Sequence, residues 1–526
     1  MAGNIGLRPH KKNPRLRRGI LIAALFVIVL KKGFYILVNL TRKNLSIFVA
    51  IKRKFSYNCS RKNDKTRGVY GRCQQRPWEG KRKKTMKKAI PLFKGILTFC
   101  IAAFACALLL LALIAAIPQS AIAENSRASA DYFSAHDGFP LLVDGVEGSR
   151  VDNYADTALL DVIYCTDSKQ PFTSMIVAPY YRNDGQDIRA DFQAAVDGAA
   201  PNNEYARYWH GSQVLLRPLL MLTDIQGCRA VLFALLLVLN GILAWLLVRK
   251  KAWLPLVAYF VSLFLVQFWT AAFTLEYIMV LLVMSAACIA VTVWQGRGEG
   301  RITTVFILSG VLTCFLDFLT AETLTFTVPV ILLLMLREKE KDSLKTQLLR
   351  LIKWGCAWLG SYAAMFAIKW LLVLMVAGKE TFAGIFQFAA LRIEGQTLLA
   401  DGSVGEVTPF TALARNLACL WPFSDENASV MGVLLTAVVV LLVLLAALYL
   451  FRGEKARFSY MAALFAVGLV PYLRYVLIYS HAHVHYFFTF RAQMALLMAL
   501  IAMFVHGLHD SPLWRRKPAK KKGGRR

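Results

Sequence analysis

Long apolar runs alternate with short charged turns along most of this chain. Windows with almost no charge fall at roughly 96–117, 228–248, 252–273, 277–294, 302–318, 323–336, 351–377, 431–450, 460–478 and 492–508. Roughly 20 apolar residues carry a helix across the hydrocarbon core of a bilayer, where the helix satisfies its own backbone hydrogen bonds. The pattern predicts an all-α polytopic membrane protein with about ten transmembrane helices. Ala121-Ile122-Ala123 follows the first window as it would follow a signal peptide. The apolar stretch is long for one, so a retained anchor is expected.

The turns between the windows are unequal. Basic clusters stand at Arg249-Lys250-Lys251, from Arg297 to Arg301, from Arg337 to Arg350, from Arg452 to Arg457, and beyond Arg515. Strict alternation puts all of them on one side, and the positive-inside rule makes that side, with both termini, cytoplasmic. A cell (plasma) membrane location follows. The extracytoplasmic side then receives two long loops, 118–227 and 378–430. The first is turn-rich with helix-like stretches and carries fifteen Asp or Glu against seven Lys or Arg. The second has a helical pattern around Phe386–Leu399.

Composition supports lipid as the solvent: 57% of the residues are hydrophobic. A net charge of +30 invites a nucleic-acid reading, but its distribution removes it. Residues 1–88 hold 25 Lys or Arg against only Asp64 and Glu79, and the tail from Arg515 adds eight more, leaving the chain between nearly neutral. Membrane orientation accounts for terminal charge of this kind, and no nucleic-acid partner is expected. Residues 1–85 mix basic clusters with two broken apolar stretches, and Met86-Lys87-Lys88 stands directly before the first window. We expect translation to begin at Met86, the alternative being a disordered basic arm. The bundle then spans 86–510, with 511–526 a cytoplasmic tail. The ten cysteines show no metal-binding spacing, and no disulfide is expected between Cys165 and Cys419, which lie in the two long loops.

Four clusters carry candidate chemistry, and the topology puts all four on the outer face. Asp152 and Asp156, in Arg150-Val-Asp-Asn-Tyr-Ala-Asp156, are spaced to share a helix face. Paired carboxylates take a proton from a hydroxyl or hold a divalent metal; the plainer alternative is an N-cap followed by a solvated face. In Arg207-Tyr-Trp-His-Gly211 and Arg217-Pro218, Tyr208 and Trp209 suit an interfacial belt. Arg207, His210 and Arg217 are cations on the side where cations are disfavoured, which points to an anionic partner. Asp317 and Glu322 sit deep in an apolar hairpin, where acids are costly unless paired or functional. Glu276, in a similar tight turn, reads as no more than a loop former. His481, His483 and His485 precede Arg491. Zinc ligation, phosphate binding and a membrane-interface collar all suit them. Lys369 is too deep to snorkel and is expected to face the interior or an outward cavity.

In content and order these stretches resemble a large, uncharacterised group of bacterial multi-pass membrane proteins. The matching segments are Asp152-Asn-Tyr-Ala-Asp156, Arg207-Tyr-Trp-His-Gly211 with Arg217-Pro218, Asp317-Phe-Leu-Thr320 and His485-Tyr-Phe-Phe-Thr-Phe-Arg491. That group looks like the GT-C class of glycosyltransferases, which take sugars from polyprenyl-phosphate carriers. The resemblance implies a GT-C-like bundle with a large extracytoplasmic first loop, acting on a polyprenyl-phosphate-linked sugar donor amid membrane lipids. Asp152 or Asp156 would be the general base. Arg491 and His485, with Arg217 and His210 as further candidates, would neutralise the leaving phosphate. Asp317 or Glu322 would position the sugar or a divalent metal; no cofactor is otherwise implied.

Two rivals remain at the level of sequence. A transporter or flippase would also carry charge inside the bundle, although no inverted repeat is visible. A non-catalytic scaffold for envelope assembly would use the acidic loop only to bind a partner. Convergence of Asp152, Asp317 and Arg491 on one cavity would favour the enzyme, a path through the membrane transport, and dispersal the scaffold.

Overall fold

A computed structural model describes residues 104–105, 108–338, 340, 342–391, 396–398, 404–421, 426–450 and 455–509. The expected basic extension, the tail 511–526 and the start of the first expected span lie outside them. The described residues other than 386–390 form one compact unit, to which the site below wholly belongs.

The acidic segment after the first window folds into five helices: α1 (Ala123–Ser134), α2 (Asn153–Cys165), α3 (Pro171–Val177), α4 (Ile188–Val196) and α5 (Gln213–Leu220). Side-chain caps start α2 and α4: Asp152 accepts from the Ala155 amide and Asp187 from the Arg189 amide. A two-stranded antiparallel ladder, β1 (Pro179–Tyr180) with β2 (Asn203–Glu204), joins the two ends of the α4 excursion.

The bundle follows as α6 (Ile225–Arg249), α7 (Trp253–Leu265), α8 (Leu275–Trp294), α9 (Glu299–Leu316), α10 (Leu324–Leu336) and α11 (Leu344–Val376). It continues through α12 (Gly378–Leu391), α13 (Pro409–Ala418), α14 (Glu426–Leu450), α15 (Lys455–Gly468), α16 (Val470–Leu477), α17 (Tyr479–Val484), α18 (Tyr486–Thr489) and α19 (Met494–His509). Among the described residues, seven segments are long and apolar enough to cross a membrane: Ile225–Arg249, Leu275–Trp294, Glu299–Leu316, Leu344–Val376, Val430–Leu448, Arg457–Leu477 and Tyr486–Val505. The shorter apolar helices α7 and α10 occupy two further expected windows. The window at 252–273 is divided because Gln267 takes a left-handed φ of +56°, after which Phe268–Ala272 is a 3-10 turn. In the second long loop the helix stops at Leu391, and Gln396–Leu398 pairs antiparallel with Val404–Glu406, so the helix expected to reach Leu399 ends early.

Polar residues inside the bundle are satisfied between helices. Pro329 within α10 has no N–H for the carbonyl of Thr325, and the Ser309 hydroxyl of α9 donates to that carbonyl at 2.7 Å. The Tyr259 hydroxyl donates to Asn240 Oδ1 at 2.9 Å, tying α7 to α6. Helix α9 lies against α11 at Gly310, where a Cβ would meet the Trp358 carbonyl and the Ser361 hydroxyl. Apolar side chains such as Trp245, Phe264 and Leu441 point outward, the inverse of a water-soluble surface. At the end of the bundle remote from the acidic segment, Arg337 meets Glu299 at 2.6 Å. The fold is that of a mostly helical, multi-pass membrane protein.

Candidate functional site

The site begins at the N-terminus of α2. Asp152 is an N-cap with a non-helical backbone, φ −113° and ψ +78°, and its carboxylate lies 2.8 Å from the Ala155 amide. It is therefore outside the helix and does not share a helix face with Asp156. It is only 3% exposed. The preceding Arg150 is gripped by Glu147, Nη2 to Oε1 at 2.8 Å and Nε to Oε2 at 3.0 Å, and its carbonyl accepts from the Tyr277 hydroxyl at 2.9 Å.

Asp156, one turn later, is fully occupied by the scaffold. It accepts from Arg229 and from the Leu275 amide at 2.9 Å, and from the Thr274 hydroxyl at 3.2 Å. These bonds cap the N-terminus of α8, and they bring Glu276 to the same cavity wall as Asp152. The second carboxylate beside Asp152 is therefore Glu276, which the sequence reading passed over as a loop former.

Both acids line a cavity of about 740 Å³. Its walls come from the acidic segment, from the start of α8, from Phe318 after α9, and from residues 481–488. Among the described residues, none from the middle of a spanning helix lines it, and its lining lies at one end of the bundle. Arg150, Arg182 and Arg207 supply its cations, and tyrosine and phenylalanine rings much of the rest.

His481 and His485 lie on this wall with ring centres 4.6 Å apart, and His485 stacks on Phe488 at 5.0 Å. His483 turns away to Arg415, 3.2 Å from its Nη1. The three histidines thus do not converge, and among the described residues no group of three or more His, Cys, Asp or Glu is placed to hold a metal ion. His210 takes a left-handed φ of +52°, puts Nε2 2.9 Å from the Tyr205 carbonyl, and leaves Nδ1 buried without a partner. Burial, followed by the charges of Lys369 and Arg207, lowers its pKa to about 3, so the ring is neutral.

The remaining expected site residues lie in the layer behind. Asp317 closes its own turn, accepting from the Thr320 amide at 3.2 Å and from the Thr320 hydroxyl. Its neighbour Phe318, not Asp317, is on the cavity wall. Glu322 pairs with Arg474 at 2.9 Å, and Arg474 Nη2 reaches His481 Nδ1 at 3.3 Å, so Glu322 touches the cavity only through another side chain. Arg217 donates to the carbonyls of Ile163, Ile117 and Thr166 at 2.5, 2.6 and 3.1 Å. Arg491 donates to the carbonyls of Phe487 and Gly148 and to the Thr270 hydroxyl, at 2.8, 3.1 and 2.5 Å, and lies over the Tyr277 ring. Lys369 is fully buried and closes the C-terminal end of α3 through the carbonyls of Ile176 and Met175, at 2.7 and 3.2 Å. Cys165 and Cys419 are both free and buried.

Of the eight site residues read from sequence, the cavity wall holds Asp152, His210 and His485. Sequence reasoning missed Glu276, Arg229, Arg182 and Arg474. Arg474 had a signal, being an arginine inside an apolar window, where unpaired charge is costly. No known protein family, curated protein or solved structure matches the chain.

Proposed function

We propose that this chain is a membrane-embedded glycosyltransferase that moves a sugar from a polyprenyl-phosphate carrier to an envelope acceptor on the extracytoplasmic face. The observation that carries the reading is a cavity at the loop end of an apolar bundle, with Asp152 on its wall among aromatic rings and arginines. Burial pushes the Asp152 carboxyl up to about 7, against the Ala155 amide and a hydrogen bond with Glu276. A base poised near the working pH suits proton abstraction. In the proposed step the acceptor hydroxyl loses its proton to Asp152 as its oxygen bonds the anomeric carbon. The bond from that carbon to the phosphate oxygen breaks, and the polyprenyl phosphate leaves with the electron pair. Ring faces pack against the sugar, and cations stabilise the departing phosphate. Among the described residues, the basic turns at 249–251 and 297–301 lie at the ends of α6 and α8 away from this cavity. The positive-inside rule supports reading the cavity as extracytoplasmic.

Mass spectrometry of envelope glycans and polyprenyl-linked sugars tests this, comparing a deletion strain with one carrying Asp152→Asn. Loss of the same glycan, or accumulation of the same lipid-linked sugar, in both supports transfer chemistry. The separation of Asp317 and Arg491 from Asp152 favours the scaffold reading instead. An envelope altered by deletion but not by Asp152→Asn would overturn the catalytic assignment in favour of scaffolding or transport.

A further inference from the structure

The two arginines expected to meet the donor phosphate, Arg491 and Arg217, donate to backbone carbonyls behind the cavity. A different pair stands on its wall. The β1–β2 ladder sets Tyr180 opposite Asn203, and the adjoining Asn202 clasps Arg182 through both backbone groups, at 2.9 Å to its amide and 2.8 Å to its carbonyl. Three residues beyond β2, Arg207 lies over the Tyr205 ring at 4.0 Å and the Tyr208 ring at 5.4 Å. The Trp370 indole donates to the Arg207 carbonyl at 3.2 Å, fixing this backbone to α11. Burial raises the Tyr180 phenol, while Arg207 and then Arg182 pull it down, so both cations act on one wall hydroxyl. Asp191 engages Arg182 through Nη1 at 2.8 Å, one of five donors that a guanidinium carries.

We infer that Arg207 and Arg182, with the Tyr180 hydroxyl, form an anion subsite that holds the phosphate of a phosphate-bearing lipid. The inference rests on the glycosyltransferase reading and names the donor's anchor within it. Asp191 holds the Arg182 guanidinium and the tyrosine stack that of Arg207 before the ligand arrives, and a planar fork matches phosphate oxygens in a way an ammonium does not. Arg207, Tyr180 and Arg182 line the same cavity as Asp152 and Glu276, so one ligand can present its phosphate to the arginines and its sugar carbon to the carboxyls.

The test is binding of farnesyl phosphate and of farnesol to the full-length protein in neutral detergent, with inorganic phosphate and phosphatidylglycerol as competitors. Farnesyl phosphate should bind at least tenfold more tightly than farnesol. Arg207→Gln should weaken farnesyl phosphate at least tenfold and leave farnesol unchanged. Arg182→Gln, at a more open position, serves as the second variant if Arg207→Gln does not elute as folded protein. Native affinity in either folded variant overturns the subsite and leaves the glycosyltransferase reading standing. Failure of the native protein to distinguish farnesyl phosphate from farnesol overturns both. Competition by inorganic phosphate or phosphatidylglycerol at equal affinity supports the anion subsite and overturns the polyprenyl donor.

Discussion

Arg229 grips Asp156 through two nitrogens, Nε at 2.9 Å and Nη2 at 2.6 Å, where neither side chain is more than 4% exposed. The pair joins α2 to α6, and the other Asp156 oxygen accepts from the amide of Glu276 at 3.2 Å. The carboxylate that the sequence offers as a partner to Asp152 is thus the one that builds the wall. Removing one partner of a buried pair leaves the other charged and unmatched, at a cost of roughly 3–5 kcal/mol. Asp156→Asn should therefore lower the unfolding midpoint in detergent sharply, with any loss of transfer following the loss of fold. A stable, monodisperse Asp156→Asn protein with no transfer activity would return Asp156 to the chemistry.

Asp152→Asn should behave in the opposite way. Asparagine caps a helix about as well as aspartate, so near pH 4, where the native carboxyl keeps its proton, stability should stay within about 1 kcal/mol of native. It cannot accept the acceptor's proton, and a general base contributes roughly 10²–10⁴-fold to rate. Transfer measured on purified protein should fall by that factor while the variant remains folded, with stability no lower than native. Full activity in the folded variant would remove Asp152 from the mechanism.

Most spanning helices were legible in the sequence because apolar length is a local property: the windows at 228–248, 277–294 and 431–450 each fall within or against an observed helix of matching position. The break at Gln267 was not legible, since a left-handed glutamine leaves no mark in hydropathy. Site residues were harder. Whether Arg491 meets a ligand or the Phe487 carbonyl depends on the turns of Tyr486–Gln493, which no spacing rule encodes. Glu276 became a cavity residue only through Asp156, 120 positions away in sequence. Such pairing across the fold is a tertiary fact, whereas the positive charge of a cytoplasmic turn is a compositional one.

The pH dependence follows from the raised Asp152 carboxyl. As a base it acts only when ionised, so the transfer rate should climb with pH and level off above about 7. Stability should move the other way. The native state keeps this proton up to about 7, whereas the unfolded chain releases it near 3.8, so between those values the native state binds more protons and stability falls as pH rises. Asp161, also buried and raised to about 7, adds a slope of the same sign. His210, lowered to about 3 from 6.5, contributes the opposite slope between those values. Unfolding midpoints at several pH values between 4 and 7 should show Asp152→Asn losing less stability than the native protein as pH rises. An identical slope in the two would mean that Asp152 is not protonated in the native state.

The pair of Glu322 and Arg474 joins the turn before α10 to α16, and Arg474 passes the contact on to His481 on the cavity wall. Arg474 Nη2 also donates to the Leu319 carbonyl at 2.7 Å. Glu322→Gln leaves a buried guanidinium facing a neutral amide and should destabilise by roughly 3–5 kcal/mol, as should Arg474→Met from the other side. The double variant removes both charges, so neither single variant's unmatched buried charge remains, and its loss should be smaller than the sum of the two. A double-mutant cycle on unfolding midpoints should therefore show a coupling above about 1 kcal/mol, because the side chains are in direct contact. Activity need not recover with stability. The double variant has lost the Arg474 contact that orients His481, so a folded protein with lowered transfer would mark Arg474 as a positioning residue. Additive losses of stability in the cycle would show that the two charges do not depend on each other, and the link from Glu322 to the cavity would be withdrawn.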